Sequence, residues 1–196
     1  PKIRIGKFKD GRITLADGDL FILDAERALG DQEGVGLDYK ELPGDSNPGD
    51  ILLLDDGRIV FEVIAVRGSE VHCKVVHGGE LSNNKGINRK GGGLTAPALT
   101  AKDMEDIRTA STIKVDYLAV SFPKSSADMY MARQLQRAAN GSALLIAKIE
   151  RAEAVVEKTL ADIMSASDGI MVARGDLAVE VGDASVPALQ KRMIRM

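Results

Sequence analysis

The chain has 196 residues, 44% of them hydrophobic, which is enough for a core in one large domain or in two small ones. Its 26 Lys and Arg against 29 Asp and Glu leave a net charge of −3, which offers no electrostatic footprint for nucleic acid. No apolar run approaches the roughly 20 residues that cross a bilayer, no signal-peptide pattern opens the chain, and the single cysteine, Cys73, excludes an internal disulfide and agrees with a reducing compartment. The expectation is a soluble cytoplasmic protein without membrane or nucleic-acid partners. A start at Pro1 without Met, and an end at Met196 inside a helical pattern, read as a piece of a longer protein.

From Pro1 to about Ala96 short strands alternate with turn chemistry: Asp10-Gly11, Asp17-Gly18-Asp19, Asp56-Gly57, Arg67-Gly68-Ser69 and Gly78-Gly79. Residues 58–66 and 70–76 flank one such turn and predict a hairpin. Several small strands without a long helix suggest a compact β-barrel. Asp55-Asp56-Gly57 is a turn first and a candidate binding element second. Residues 83–93, from Asn83-Asn84-Lys85 to a run of three glycines, read either as a phosphate-contacting loop or as a solvated linker. His72 and His77 have no ligand partner at metal-binding spacing, and Cys73 lacks an activating base. All three are read as structural or surface residues.

From Pro97 the pattern changes to alternating helices and strands. Thr100 to Asp103 forms a capping box that opens a helix to about Ser111. Residues 116–122 are apolar and strand-like, and Ser125 to Asp128 caps a helix to about Ala139. The richest stretch is 143–180, where Leu144–Ala147 and Gly169–Ala173 are near-continuous apolar runs of the kind seen in parallel strands covered on both faces. Ala154, Val155, Leu160, Ile163 and Met164 recur between them at helical spacing. Ser185 with Pro187 opens a last helix. Lys148 and Glu150 lie two apart at the carboxyl end of the first run, and Arg174 and Asp176 follow the second. Parallel neighbours lie about 4.8 Å apart, which brings Glu150 and Asp176 within reach of one divalent ion. Lys148 then adds positive charge beside it. The plainer alternative is a solvated strand-end ion pair, with Asp176 as a helix cap.

IAKIE at 146–150 and ASDGIMVARGDLAVE at 166–180 resemble pyruvate kinase in residue type, order and spacing. PKIRIGKF, ILLLDDGRI, NNKGIN, PALTAKD and AVSFPKS extend that resemblance, in order, over nearly the whole chain. It implies an α/β plus all-β protein, a partial (β/α)8 TIM barrel with an inserted small β-barrel domain. Residues 1–96 would be the β-barrel lid, with 1–5 the end of a catalytic-barrel strand, and 97–196 the partial catalytic barrel, with Ser121, Lys148, Glu150 and Asp176 at carboxyl ends of strands, where such barrels carry their sites. The implied reaction moves the phosphoryl group of phosphoenolpyruvate to ADP, giving pyruvate and ATP.

By the same resemblance Glu150 and Asp176 hold Mg2+ or Mn2+, Lys148 stabilises the transferring group, and the backbone N–H groups of Gly175 and Asp176 seat the substrate carboxylate. Arg4, Lys85 and Asp56 face the nucleotide. Lys2 stands where potassium-dependent members have Glu, which implies that K+ is not required. Arg89 and Lys90 depart from the apolar residue and proline usual in the family, and Ala178 replaces a usual Gly. The parent is expected to be a homotetramer, and these 196 residues alone to be inactive. Two other readings stay open, a Mg-dependent carbon–carbon lyase of the phosphoenolpyruvate/pyruvate barrel group and a non-catalytic domain.

Overall fold

The structure, a computed structural model, describes residues 2–196. Pro1, the first residue of the strand end expected at 1–5, lies outside them. The described chain divides into two compact units, residues 2–96 and 97–196.

The first unit is built from eight strands and one helical turn: β1 (Arg12–Leu15), β2 (Leu20–Asp24), β3 (Gly34–Gly36), α1 (Leu42–Asp45), β4 (Ile51–Leu54), β5 (Ile59–Arg67), β6 (Glu70–His77), β7 (Gly79–Ser82) and β8 (Ile87–Arg89). Six of them form a sheet in the order β3-β2-β6-β5-β4-β8, antiparallel except for β2 beside β3, and β1 pairs separately with β7. Period-two patterning decides which side chains go inward. Ile59, Phe61 and Val63 of β5 and Val71, Cys73 and Val75 of β6 are buried, while Glu62, Ile64, His72 and Lys74 are not. A register shift between Val63 and Ala65 ends that alternation and twists the hairpin. Phe21 and Phe61 pack as a tilted pair with ring centroids 5.6 Å apart.

The second unit runs α2 (Ala101–Thr112), β9 (Tyr117–Val120), α3 (Ser126–Ala138), β10 (Leu144–Ile149), a 3-10 turn (Glu153–Val155), α4 (Glu157–Ala166), β11 (Gly169–Val172), α5 (Arg174–Val181), a second 3-10 turn (Asp183–Ser185) and α6 (Val186–Arg195). Its three strands are parallel, with β10 central between β9 and β11. Both expected capping boxes form, Thr100 with Asp103 and Ser125 with Asp128.

Three local expectations change. Within the described residues only one face of the strands is covered: Leu145, Ala147 and Ile149 are buried in a core with Val120, Met129 and Leu160, while Leu144 and Met171 are each 47% exposed and Lys148 is half-buried. The expected continuous helix from Ala154 breaks at Val156, which is extended at φ −61, ψ 131, so the helix proper begins at Glu157. The β-branched pair Val155-Val156 weakens helical continuation there. The strand predicted to Phe122 stops at Val120 because Phe122 turns into the left-handed region, φ 55.

Candidate functional site

The arrangement begins where β10 ends. Glu150 is fully buried just beyond that end, a position that costs a carboxylate its hydration unless it is partnered. Its Oε2 accepts the backbone N–H of Phe122 at 2.8 Å, the bond for which Phe122 leaves the strand conformation. Its Oε1 lies 2.7 Å from Lys148 Nζ, close enough for charge attraction, yet it receives no aligned hydrogen bond. That leaves a buried carboxylate oxygen, without an aligned hydrogen bond among the described residues, beside an ammonium group. Lys148 also donates to Ser121 Oγ at 3.2 Å, which holds the ammonium between two strand ends.

The neighbouring strand continues into α5. The Ala173 N–H bonds Ile149 O at 3.2 Å, which joins the carboxyl ends of β10 and β11, and α5 begins at the next residue. Arg174 and Gly175 therefore lie in the first turn, where a helix leaves N–H groups without an internal acceptor and a partial positive charge. Asp176 is the third helical residue rather than the cap, which is Ala173. A β-carbon added to Gly175 would meet nothing within 4 Å, so there is open space above this turn. Ala178 points its methyl into the packing of the second unit's core. Among the described residues no group of three or more His, Cys, Asp or Glu converges as a metal cage. Two carboxylates with substrate oxygens and water are nonetheless an ordinary environment for Mg2+, and the open oxygen of Glu150 fits one.

A second cluster forms within the first unit. The backbones of Ile3, Arg4 and Ile5 pair with the stretch 85–87: Ile87 N–H bonds Ile3 O at 2.8 Å and Ile5 N–H bonds Lys85 O at 2.9 Å. Gly86 leaves room for the Lys2 side chain, since a β-carbon there would come within 2.2 Å of Lys2 Cε and the lysine would have to move. Arg4 Nη1 donates to Asn84 O at 2.9 Å, and its own N–H to Asp38 Oδ1 at 2.8 Å. The turn Asp55-Asp56-Gly57 has three successive left-handed residues, φ 49, 57 and 85, and Gly57 N–H closes it on Leu54 O, a type I′ geometry. Lys85 Nζ pairs with Asp55 at 2.7 Å and Lys2 Nζ with Asp56 at 2.6 Å. Lys2 holds the Asp56 carboxyl below the usual carboxylate range. Arg4, Lys85, Asp56 and Lys2 thus meet at one end of this unit.

Three partners lie outside the sequence-based expectations. Phe122 contributes only a backbone N–H, and Asp55 is acidic like the Asp56 beside it, so residue type does not single it out. Glu180 bonds the Ala152 N–H at 2.8 Å; it sits one helical turn beyond Asp176, the spacing that would have marked it. Arg89, one of the unusual residues, pairs with Asp50 at 2.9 Å and donates to Asp45 O at 3.2 Å, anchoring β8 to the segment before β4.

Residues 1–196 match the pyruvate kinase barrel-domain family. The chain is 58% identical to a pyruvate kinase of Haemophilus influenzae, 56% to pyruvate kinase II of Salmonella typhimurium and 41% to a pyruvate kinase of Corynebacterium glutamicum. Each match covers 100% of this chain, which spans about 41% of the length of these relatives. No helix among the described residues is long and apolar enough to cross a membrane.

Proposed function

The chain belongs to the pyruvate kinase family, and from that premise we propose that the whole protein transfers the phosphoryl group of phosphoenolpyruvate to ADP, yielding pyruvate and ATP. The second unit is then part of a (β/α)8 barrel and the first a β-barrel lid inserted in it. The cytoplasm, a homotetrameric parent and independence from K+, with the ammonium of Lys2 standing in for the ion, belong to the same proposal. The names carried by the relatives support the reaction. The observation that carries the site is Glu150 Oε1, buried without a hydrogen bond beside Lys148.

Glu150 and Asp176 would hold Mg2+ or Mn2+, which when bound supplies positive charge against the oxygens of the substrate. The Phe122 N–H fixes the Glu150 carboxylate so that one oxygen stays turned away from it and available. Lys148, steadied by Ser121, presents its ammonium where negative charge builds on the transferring group and then on the enolate oxygen left behind. The first-turn amides of α5 and the open space over Gly175 suit a carboxylate group. Phosphoryl transfer asks for positioning and charge neutralisation rather than a protein nucleophile, and this set of groups matches that demand. Arg4, Lys85 and Asp56 are the proposed nucleotide contacts.

The test is Mn2+ binding to the full-length protein by electron paramagnetic resonance, with and without oxalate as an enolate mimic. Binding should strengthen with oxalate and weaken by at least about ten-fold in Glu150→Gln and in Asp176→Asn. Lys148→Met should keep the ion and lose about 10²- to 10³-fold in pyruvate formation. Mn2+ affinity indifferent to both carboxylate changes would overturn the site.

A further inference from the structure

The two proposed metal carboxylates stand on separate segments, and something must fix the distance between them. Glu150 is buried and bonded to the Phe122 N–H. Asp176 rides on α5, an eight-residue helix docked through Leu177, which is fully buried, and through the partly buried Ala178 and Val181. Apolar docking of this kind is non-directional, and the Ala173 N–H bond to Ile149 O ties down the start of the helix. A directional restraint comes from Glu180.

Glu180 is buried, with an exposure of 6%, and its Oε2 accepts the Ala152 N–H at 2.8 Å. Ala152 lies two residues past Glu150, ahead of the 3-10 turn Glu153–Val155. Asp176 and Glu180 are four apart in one helix and share a face. The bond to Ala152 therefore ties the face that carries Asp176 to the segment that carries Glu150. The turn it grips is itself braced, since Arg151, 5% exposed, bonds both carboxylate oxygens of Glu153 at 3.3 Å.

We infer that Glu180 is a positioning residue for the divalent-cation site: its bond to the Ala152 N–H fixes the rotation of α5 and with it the separation of Asp176 from Glu150. This rests on the metal site proposed above. In this role Glu180 acts through the two carboxylates it aligns rather than as a ligand itself. Partners of this outer kind govern metal affinity because they orient the ligands themselves.

The experiment is Mn2+ affinity of the full-length protein by electron paramagnetic resonance for Glu180→Gln, Glu180→Asp and Glu180→Ala, with phosphoenolpyruvate KM and kcat measured at low and saturating Mn2+. Glu180→Gln keeps an acceptor at the same reach and should bind within about three-fold of wild type. Glu180→Asp keeps the charge but withdraws the acceptor by one methylene, so affinity should fall about ten- to hundred-fold, as in Glu180→Ala. Saturating Mn2+ should restore most of the lost kcat in Glu180→Asp. Should Glu180→Ala fail to fold, the Gln and Asp variants decide between them. Wild-type affinity in Glu180→Asp, or equal losses in the Gln and Asp variants, would overturn the assignment. Glu150→Gln is measured alongside: if it leaves affinity intact, the metal reading itself falls, whereas a loss there with none in Glu180→Asp removes only the positioning role.

Discussion

A single carboxylate can be worth more for the backbone group it holds than for its charge. Asp168, just before β11, accepts the Leu145 N–H at 2.7 Å and an Arg133 N–H at 3.0 Å. The Leu145 amide, followed by Arg133, keeps its carboxyl below the ordinary value of 3.8. A pKa lower in the folded state means stability that is present above the usual carboxylate range and is lost as pH falls through the depressed value. Asp168→Ala strands the Leu145 N–H and should cost about 1 to 2 kcal/mol at neutral pH. The gap in unfolding free energy between wild type and variant should narrow below about pH 4. A gap that stays constant across that range would assign the bond no ionic character. Phe122 shows the same economy, because its unusual backbone serves to deliver one N–H to Glu150.

Elements are where the sequence was most and least readable. The capping boxes were plain in the letters because the bonding partners lie three residues apart. Thr100 Oγ1 accepts the Asp103 N–H at 3.2 Å and Asp103 Oδ2 accepts the Thr100 N–H at 2.8 Å. Thr100→Ala should cost about 1 kcal/mol in chemical denaturation and Thr100→Ser only a few tenths; equal losses would deny the hydroxyl its role. Lys148 and Glu150 were equally plain, standing two apart at a strand end. Glu150's hydrogen-bond partner was not, since 28 residues separate it from Phe122. Alternation in β10 was masked too. Leu144 and Ile146 are as apolar as the buried Leu145 and Ile149, so composition alone implied cover on both faces. The break at Val156 was hidden because Ala154 and Leu160 keep helical spacing across it.

At the level of the whole molecule the two units have separate cores, one around Phe21, Leu23 and Phe61, the other around Leu145, Ala147 and Leu160. A cavity in one should leave the other intact. Cys73 reports on the first unit: it is 1% exposed, and burial pushes its thiol up to about 12, so it reacts only when that unit opens. Phe61→Ala should destabilise the first unit by about 3 to 5 kcal/mol and speed alkylation of Cys73 accordingly. Amide exchange at Leu145 and Ala147 should stay at wild-type rates. Faster exchange there would mean that the two units unfold together.

The sheet that carries Lys148 has one consequence of another kind. Among the described residues β10 is bonded on both sides, whereas β9 and β11 each have one neighbour, and Tyr117 of β9, Leu144 of β10 and Met171 of β11 stand exposed. Unsatisfied strand edges beside apolar side chains recruit further strands. For these 196 residues handled alone, self-association would then be second order in protein, and the lifetime of dispersed chains would shorten in inverse proportion to how concentrated they are made. Dilution would then lengthen the time for which a preparation stays clear.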